Sequence, residues 1–423
     1  MRTSFLSLAV TSLVALAGVA AESSAQNLAS RIASSSARSV QFSYAARPGV
    51  CGDGRTYIST HDGSGGTYTI GNSSEQCQAG PVRVELDLAD RSVIALRTYV
   101  GGTAAGAEVA NLGTVTPAEA ADYLITVAAR ADGRVGRDAI FAALLGENVD
   151  VSTRLLEIAR DRARPLETRT AALSGLGRNA TRNLDGIGTA LVQLARNEEE
   201  PQRIRSHALS VLARLDQGAG VQPLIQLATA NTTSWIGRES MNVLARSGDP
   251  RARQFLRTIV QRTDLPDDML AVALKGLGGS YVTGQDAALL RSLYPRLTGT
   301  ASQTAVLNAI GSLGGTENVQ WLIGVVRDER TSPEARRRAL ESARRAGAPT
   351  ASLVALYDAT PDTQIRTSLI DAYRREDNKA ATDKLVWIAR NEQNMTLRRR
   401  AISALSRNAD PDVRQALQAI VER

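Results

Sequence analysis

Aromatic side chains are scarce: they make up 4% of 423 residues, against 43% hydrophobic and 22% charged residues. A mainly β protein of this length relies on aromatic and β-branched residues to cover its sheets, so their scarcity argues against one. Alanine and leucine take their place, which favours helix. Lysine occurs only at Lys275, Lys379 and Lys384, so the formal charge of +7 is carried by arginine. That balance permits acidic partners without selecting one. Histidine occurs only as His61 and His207, too few for clustered imidazole chemistry. The chain has no phosphate-binding glycine loop before a helix, no HExxH and no Cys-x-x-Cys. No catalytic residue, metal or cofactor is expected.

Long apolar runs are also missing, with one exception. Arg2 precedes FLSLAVTSLVALAGVAA (5–21), and small residues Ser23 and Ala25 stand before Gln26. This has the form of a secretory signal over 1–25, shorter than the ~20 residues a spanning helix usually needs. An uncleaved anchor is the competing reading. An exported chain is expected, periplasmic or secreted. Cys51 and Cys77, the only cysteines, would then persist as a disulfide. A thiolate metal site with His61 is the rival, disfavoured because no second histidine lies nearby.

Residues 39–101 alternate with period two. SVQFSYAA places Val40, Phe42 and Tyr44 on one face, and PVRVELDLA places Val82, Val84, Leu86 and Leu88 on another. GTYTIG and RSVIALRTYV complete a small antiparallel β domain, flanked by a linker or helix at 26–38 and a linker at 102–116. HDGSGG (61–66) superficially suggests a protease serine, but catalytic triads draw on separated segments. A glycine-rich hairpin turn is the simpler reading.

From Thr116 the period changes. ALSGLG (172–177), ALSVLA (208–213), SMNVLA (240–245), ALKGLG (273–278), AIGSLG (309–314), ALESAR (339–344), LIDAYR (369–374) and AISALS (401–406) are versions of one hexapeptide, spaced 30 to 36 residues apart. A second apolar segment precedes each, such as LVQLAR (191–196) or LVWIAR (385–390), so each repeat is a helix pair, A then B. Thr116-Pro117, Asp249-Pro250, Ser332-Pro333, Thr360-Pro361 and Asp410-Pro411 read as caps before a first-turn proline, the first also as a capping box with Glu119. Gly177, Gly218, Gly248, Gly278, Gly314 and Gly347 read as helix stops.

Units such as DPDVRQALQAI (410–420) and SPEARRRALESARRAG (332–347) carry a cap, a proline, an acid, a B-helix arginine and small and large apolar residues in sequence. On these the chain resembles HEAT repeats, including the HEAT-like repeats of phycobilisome lyases, over about 117–423. The resemblance implies a mainly α chain, an α-solenoid, with B helices on the concave face. It also implies turn acids stacked against B-helix arginines of neighbouring units. It implies no particular activity.

With the hexapeptide's second residue as position zero, Arg169, Arg205, Arg336, Arg366 and Arg398 stand at minus four. That position falls inside the apolar arc, about −40° round the helix, so these arginines form a structural ladder needing carboxylates such as Glu167, Glu334 or Asp362. Arg178, Arg214, Arg246, Arg345, Arg375 and Arg407 stand at plus five, about 140° round, on the solvated side. Cations there suit a helix C-terminus, and the stripe would also present charge to a partner, with Arg338 and Arg400 adding to it. His207 is expected to be a packed B-helix residue.

The expected function is that of an exported, non-enzymatic scaffold, a monomer binding an acidic protein or extended peptide in its groove. An anionic envelope component, lipopolysaccharide or polysaccharide, is the alternative partner. Nucleic acid is not expected, for want of stacking aromatics. A lyase- or hydrolase-like enzyme, suggested only by the name of the phycobilisome lyases, lacks candidate residues.

Overall fold

Val40, Phe42 and Tyr44 are fully buried along strand β1 (Ser39–Tyr44). The computed structural model describes residues 27–54, 78–101, 109–131, 133–179, 183–230, 232–376, 378–406 and 411–421. The expected signal, His61, the HDGSGG turn, Cys77 and therefore the expected disulfide lie outside the described residues.

The described residues form two units, one through Val151 and one from Ser152. The first contains α1 (Leu28–Ser34), β1, β2 (Cys51–Gly52), β3 (Gln78–Ala79), β4 (Val82–Ala89), β5 (Ser92–Val100), β6 (Ala110–Thr114), α2 (Pro117–Arg130) and α3 (Gly133–Ala143). Four strands lie in the order β5-β4-β1-β6, and β2 pairs with β3 apart from them. β1–β4 and β4–β5 are antiparallel, but β6 runs parallel to β1. The sheet is thus mixed rather than antiparallel, and the expected linker 102–116 contributes its edge strand. ANLGT alternates only Ala110 and Leu112 with Asn111 and Gly113, and glycine and asparagine are poor strand formers, so its composition marks a strand weakly.

β4 is buried on both faces over Val82–Leu86. Its polar face is satisfied internally: Arg83 donates to the Gly54 carbonyl at 2.5 Å, and Glu85 pairs with Arg97 at 2.7 Å. β4 and β5 are joined through Asp90 and Arg91, both with positive φ (48° and 61°), as a two-residue hairpin turn requires.

The first helix pair, α2 with α3, falls within this unit. Tyr44 Oη donates to the Ala142 carbonyl at 2.6 Å, and the Leu28 N–H donates to Glu119 Oε1 at 2.6 Å. The second bond also dissolves the expected capping box. Thr116 Oγ1 accepts from the Glu119 N–H, but the Glu119 carboxylate is turned to α1 instead of back to Thr116.

The second unit is eight helix pairs and a last helix. They are α4 (Ser152–Arg160) with α5 (Leu166–Asn179), α6 (Leu184–Arg196) with α7 (Gln202–Leu212), α8 (Val221–Ala230) with α9 (Trp235–Arg246), and α10 (Pro250–Ile259) with α11 (Asp267–Leu277). There follow α12 (Gly284–Leu293) with α13 (Thr300–Leu313), α14 (Thr316–Arg327) with α15 (Pro333–Arg345), α16 (Thr350–Ala359) with α17 (Thr363–Tyr373), α18 (Lys379–Asn391) with α19 (Met395–Leu405), and α20 (Pro411–Val421). Each hexapeptide lies on the second helix of its pair, and its zero residue is buried wherever two B helices flank it: Leu209, Met241, Leu274, Ile310, Leu340 and Ile370 are at most 2% exposed. No hairpin can bury that face alone, so stacking supplies the core.

Successive B helices approach more closely than successive A helices. Small residues allow it: a Cβ on Gly276 would lie 2.6 Å from that of Ala245, and one on Gly311 would lie 2.7 Å from that of Ser342. Ser332 and Asp249 cap as expected, through the N–H groups of Ala335 and Arg251. Thr360 does not: Asp362 caps α17. Among the expected stops, Gly218, Gly314 and Gly347 adopt positive φ, whereas Gly177 lies inside α5 and Gly278 has φ −85°. No helix among the described residues is long and apolar enough to cross a membrane.

Candidate functional site

Each arginine at minus four reaches backward. Arg169, Arg205 and Arg336 donate from Nε to the carbonyls of Ala159, Ala195 and Val326, at 2.9, 2.9 and 2.7 Å. These carbonyls end the A helix of the same pair, where orphan acceptors and the negative end of the dipole both favour a cation. Arg366 and Arg398 do the same to Thr360 and Glu392, at 2.7 and 2.8 Å. The register differs because the A–B turns shorten from 161–165, 197–201 and 328–332 to 360–362 and 392–394. A dipole opposed to arginine at the start of a B helix is thereby avoided.

The remaining guanidinium nitrogens reach forward to the next repeat. Arg169 pairs with Glu200 at 2.6 Å, Arg336 with Asp362 at 2.7 Å, and Arg366 with Glu392 at 3.4 Å. Arg205 instead covers the Trp235 ring, 4.5 Å from its centroid. The partners are therefore turn acids of the following unit, some thirty residues away, rather than acids a few residues upstream; Glu334 bonds the exposed Arg337. Burial opposes ionisation of Glu200, but hydrogen bonds from Arg169 and Arg162 outweigh it and hold the carboxyl below its usual range.

The units of α9, α11 and α13 have no arginine at minus four, and the array is joined differently there. Arg253 and Arg257 on α10 donate to the fully buried Asp286 at 2.6 and 2.7 Å. Asp286 also forms a capping box with Thr283. The Thr-x-x-Asp spacing could have revealed the cap, but not the two arginines.

The plus-five arginines do not form one free stripe. The side chain of Arg178 and all of Arg407 lie outside the described residues. Arg214 is exposed at the end of α7, and Arg246 is 66% exposed, 4.0 Å from Glu239. Arg375 bonds Glu341 of the preceding unit at 3.4 Å, and Glu341 also pairs with Arg344 at 2.9 Å. Arg400 grips Asp371 of the preceding unit through two bonds, 2.9 and 2.6 Å. The hydrogen bond from Arg344, with the charges of Arg375 and Arg345, keeps the Glu341 carboxyl below its usual range against partial burial. Arg345 is exposed and Arg338 half-buried, and neither has an ion-pair partner among the described residues. A cleft of about 340 Å³ lies between α15 and α17, lined by Arg338, Glu341, Arg344, Ser368, Asp371 and Arg375. The acids Glu341 and Asp371, both at plus one, were not singled out from sequence.

His207 is half-buried on α7, with Nε2 2.9 Å from Ser174 Oγ on α5. Burial, then the charges of Arg214 and Arg203, lower its pKa to about 4. The pair joins two successive repeats, and no carboxylate orients the ring among the bonds described.

A larger cleft, about 980 Å³, lies within the first unit between α1, α2 and the β4–β5 turn. Ile32, Val93, Tyr123 and Val127 line it beside Arg38 and Arg130, and burial pushes the Tyr123 hydroxyl up to about 12. Its walls come from segments that the sequence divides between a linker, a strand and the first repeat.

Paired helices with a shared hexapeptide, cross-linked by arginine to the next turn, define a helical repeat scaffold. Residues 188–278 match the family model for HEAT repeats. No curated protein matches it. Among solved structures, human deoxyhypusine hydroxylase in complex with glycerol is similar at 16% identity, covering 56% of this chain and 96% of that one, with a TM-score of 0.27. A tumor overexpressed gene (TOG) domain array of a tubulin-recruiting microtubule polymerase is similar at 12% identity, covering 72% and 91%, with a TM-score of 0.25. A computationally designed cyclic homooligomer is similar at 16% identity, covering 73% and 96%, with a TM-score of 0.11.

Proposed function

We propose that this chain is an exported, non-enzymatic, monomeric scaffold that holds an acidic protein segment on its B-helix face. Closer spacing of B helices than of A helices makes the B layer the inner side of the stack, the side on which an extended partner meets many repeats at once. The observation that carries the acidic preference is the surface around α15, where Arg338 and Arg345 have no ion-pair partner among the described residues while the adjacent Arg344, Arg375 and Arg400 are paired. Of the eight arginines first assigned to a partner, these two therefore bear most of the weight.

Fluorescence anisotropy tests the reading. A glutamate-rich peptide should bind the purified chain more tightly than a lysine-rich one, with affinity falling as salt rises. Equal binding of both peptides would defeat it. Displacement of the peptide by bacterial polysaccharide at equal charge would favour the envelope alternative. Turnover on a broad substrate panel would show an enzyme, and amino-terminal sequencing of exported material that begins elsewhere than Gln26 would displace the signal.

A further inference from the structure

The B-helix surface carries a pattern that one repeat leaves incomplete. At plus one, Glu341 of one unit receives Arg375, at plus five of the next. At plus one of the following unit, Asp371 receives Arg400, at minus two of the next. Near the amino-terminal end of the array the same positions hold Ser174 and His207, 2.9 Å apart. In these three places plus one of a unit meets minus two or plus five of its successor.

One unit before Glu341, plus one is Gly311. The successor's residues at the corresponding positions are Arg338, at minus two, and Arg345, at plus five. Neither has an ion pair among the described residues. Position 311 itself cannot supply a carboxylate. A Cβ at Gly311 would stand 2.7 Å from the Ser342 Cβ and 3.0 Å from its Cα, so the approach of α13 to α15 excludes one. Close packing has thus removed the acid and kept both cations.

We infer that Arg338 and Arg345 receive carboxylates from an acidic segment of another protein at the position Gly311 leaves open. The two arginines are seven residues apart on one helix, about 10 Å along its axis, so the segment presents two carboxylates at about that separation. The cleft toward α17 adjoins Arg338 and continues the surface. This rests on the acidic preference proposed above and adds where it resides.

The test uses the purified chain and a fluorescein-labelled peptide of alternating glutamate and alanine, with its glutamine counterpart as control. Arg338→Gln/Arg345→Gln should weaken glutamate-peptide binding about tenfold or more, as loss of charge-assisted bonds does. Arg375→Gln/Arg400→Gln, which removes cations already paired, should weaken it less than about twofold. Glu341→Gln frees Arg375 and should tighten binding, an outcome no misfolded variant would produce. Equal losses in the two double variants, equal binding of the glutamine peptide, or displacement by inorganic phosphate at equal charge would overturn the inference. Absence of glutamate-peptide binding by the unaltered chain sinks the proposed function as well. Binding indifferent to Arg338 and Arg345 sinks only this site.

Discussion

Arg336 Nη1 donates to Asp362 Oδ2 across 2.7 Å while Asp362 Oδ1 accepts the Gln364 and Ile365 N–H groups that open α17. One carboxylate therefore caps a helix of its own repeat and neutralises the buried arginine of the repeat before. Helix capping and repeat stacking become a single interaction, since Asp362 cannot leave without exposing both.

Asp362→Ala should destabilise the array by about 3–5 kcal/mol, chiefly by leaving Arg336 buried without its counter-charge, with about 1 kcal/mol from the lost cap. Urea unfolding followed by circular dichroism measures it. Arg337→Ala, which removes an exposed partner of Glu334, should cost no more than about 1 kcal/mol in the same assay. Similar losses in the two variants would contradict the ladder.

Asp286 gives the array an acid limit. Burial alone would raise its pKa, but hydrogen bonds from Arg257, Thr283 and Arg253 hold it far below the carboxylate range. A carboxyl depressed on folding contributes stability above its unfolded pKa of about 4 and loses that contribution as the pH falls below it. Asp286→Asn should lower Tm at pH 7, and its deficit against the unaltered chain should shrink toward pH 2. A deficit constant with pH, read by scanning calorimetry, would refute the assignment.

His207 works on a higher pH window. Its imidazole is held neutral on folding, with a pKa of about 4, so the unfolded chain takes up a proton first, near pH 6.5. Stability falls as the pH drops from about 6.5 toward 4. His207→Gln should flatten the Tm profile in that interval. An unchanged slope would place the imidazole in solvent.

The expected disulfide is open to a direct measurement. Without reductant, neither Cys51 nor Cys77 should be alkylated. Cys51→Ser should then cost about 3–4 kcal/mol on the chain-entropy model. Free thiols in the native protein would remove the staple.

The repeat was legible because its physical cause is local. Leu173, Leu209 and Met241 are apolar at a fixed spacing since each must be covered by the next hairpin, and all three are fully buried. Ser332 and Asp249 announced helix starts because a cap bonds within its own first turn. Asp362 stands four residues before Arg366, the nearer ladder arginine in sequence. Its actual partner, Arg336, is 26 residues earlier, and no spacing rule inside a single repeat reaches that far. The strand Ala110–Thr114 was missed for a related reason: its pairing with β1 comes from the distant edge of the sheet, not from its own residues.

The sequence alone determined that the chain folds as stacked helix pairs and which residues lie in the seams, because burial of an apolar stripe repeats with the helix period. Only the tertiary structure decided which charges remain available. Arg345 and Arg375 are equivalent in sequence, yet Arg375 bonds Glu341 of the preceding unit, whereas the position corresponding to Glu341 in the unit before Arg345 is Gly311, where Ser342 of α15 leaves no room for a Cβ. Whether an arginine at this position binds its own array or faces outward depends on the neighbour that packing places beside it.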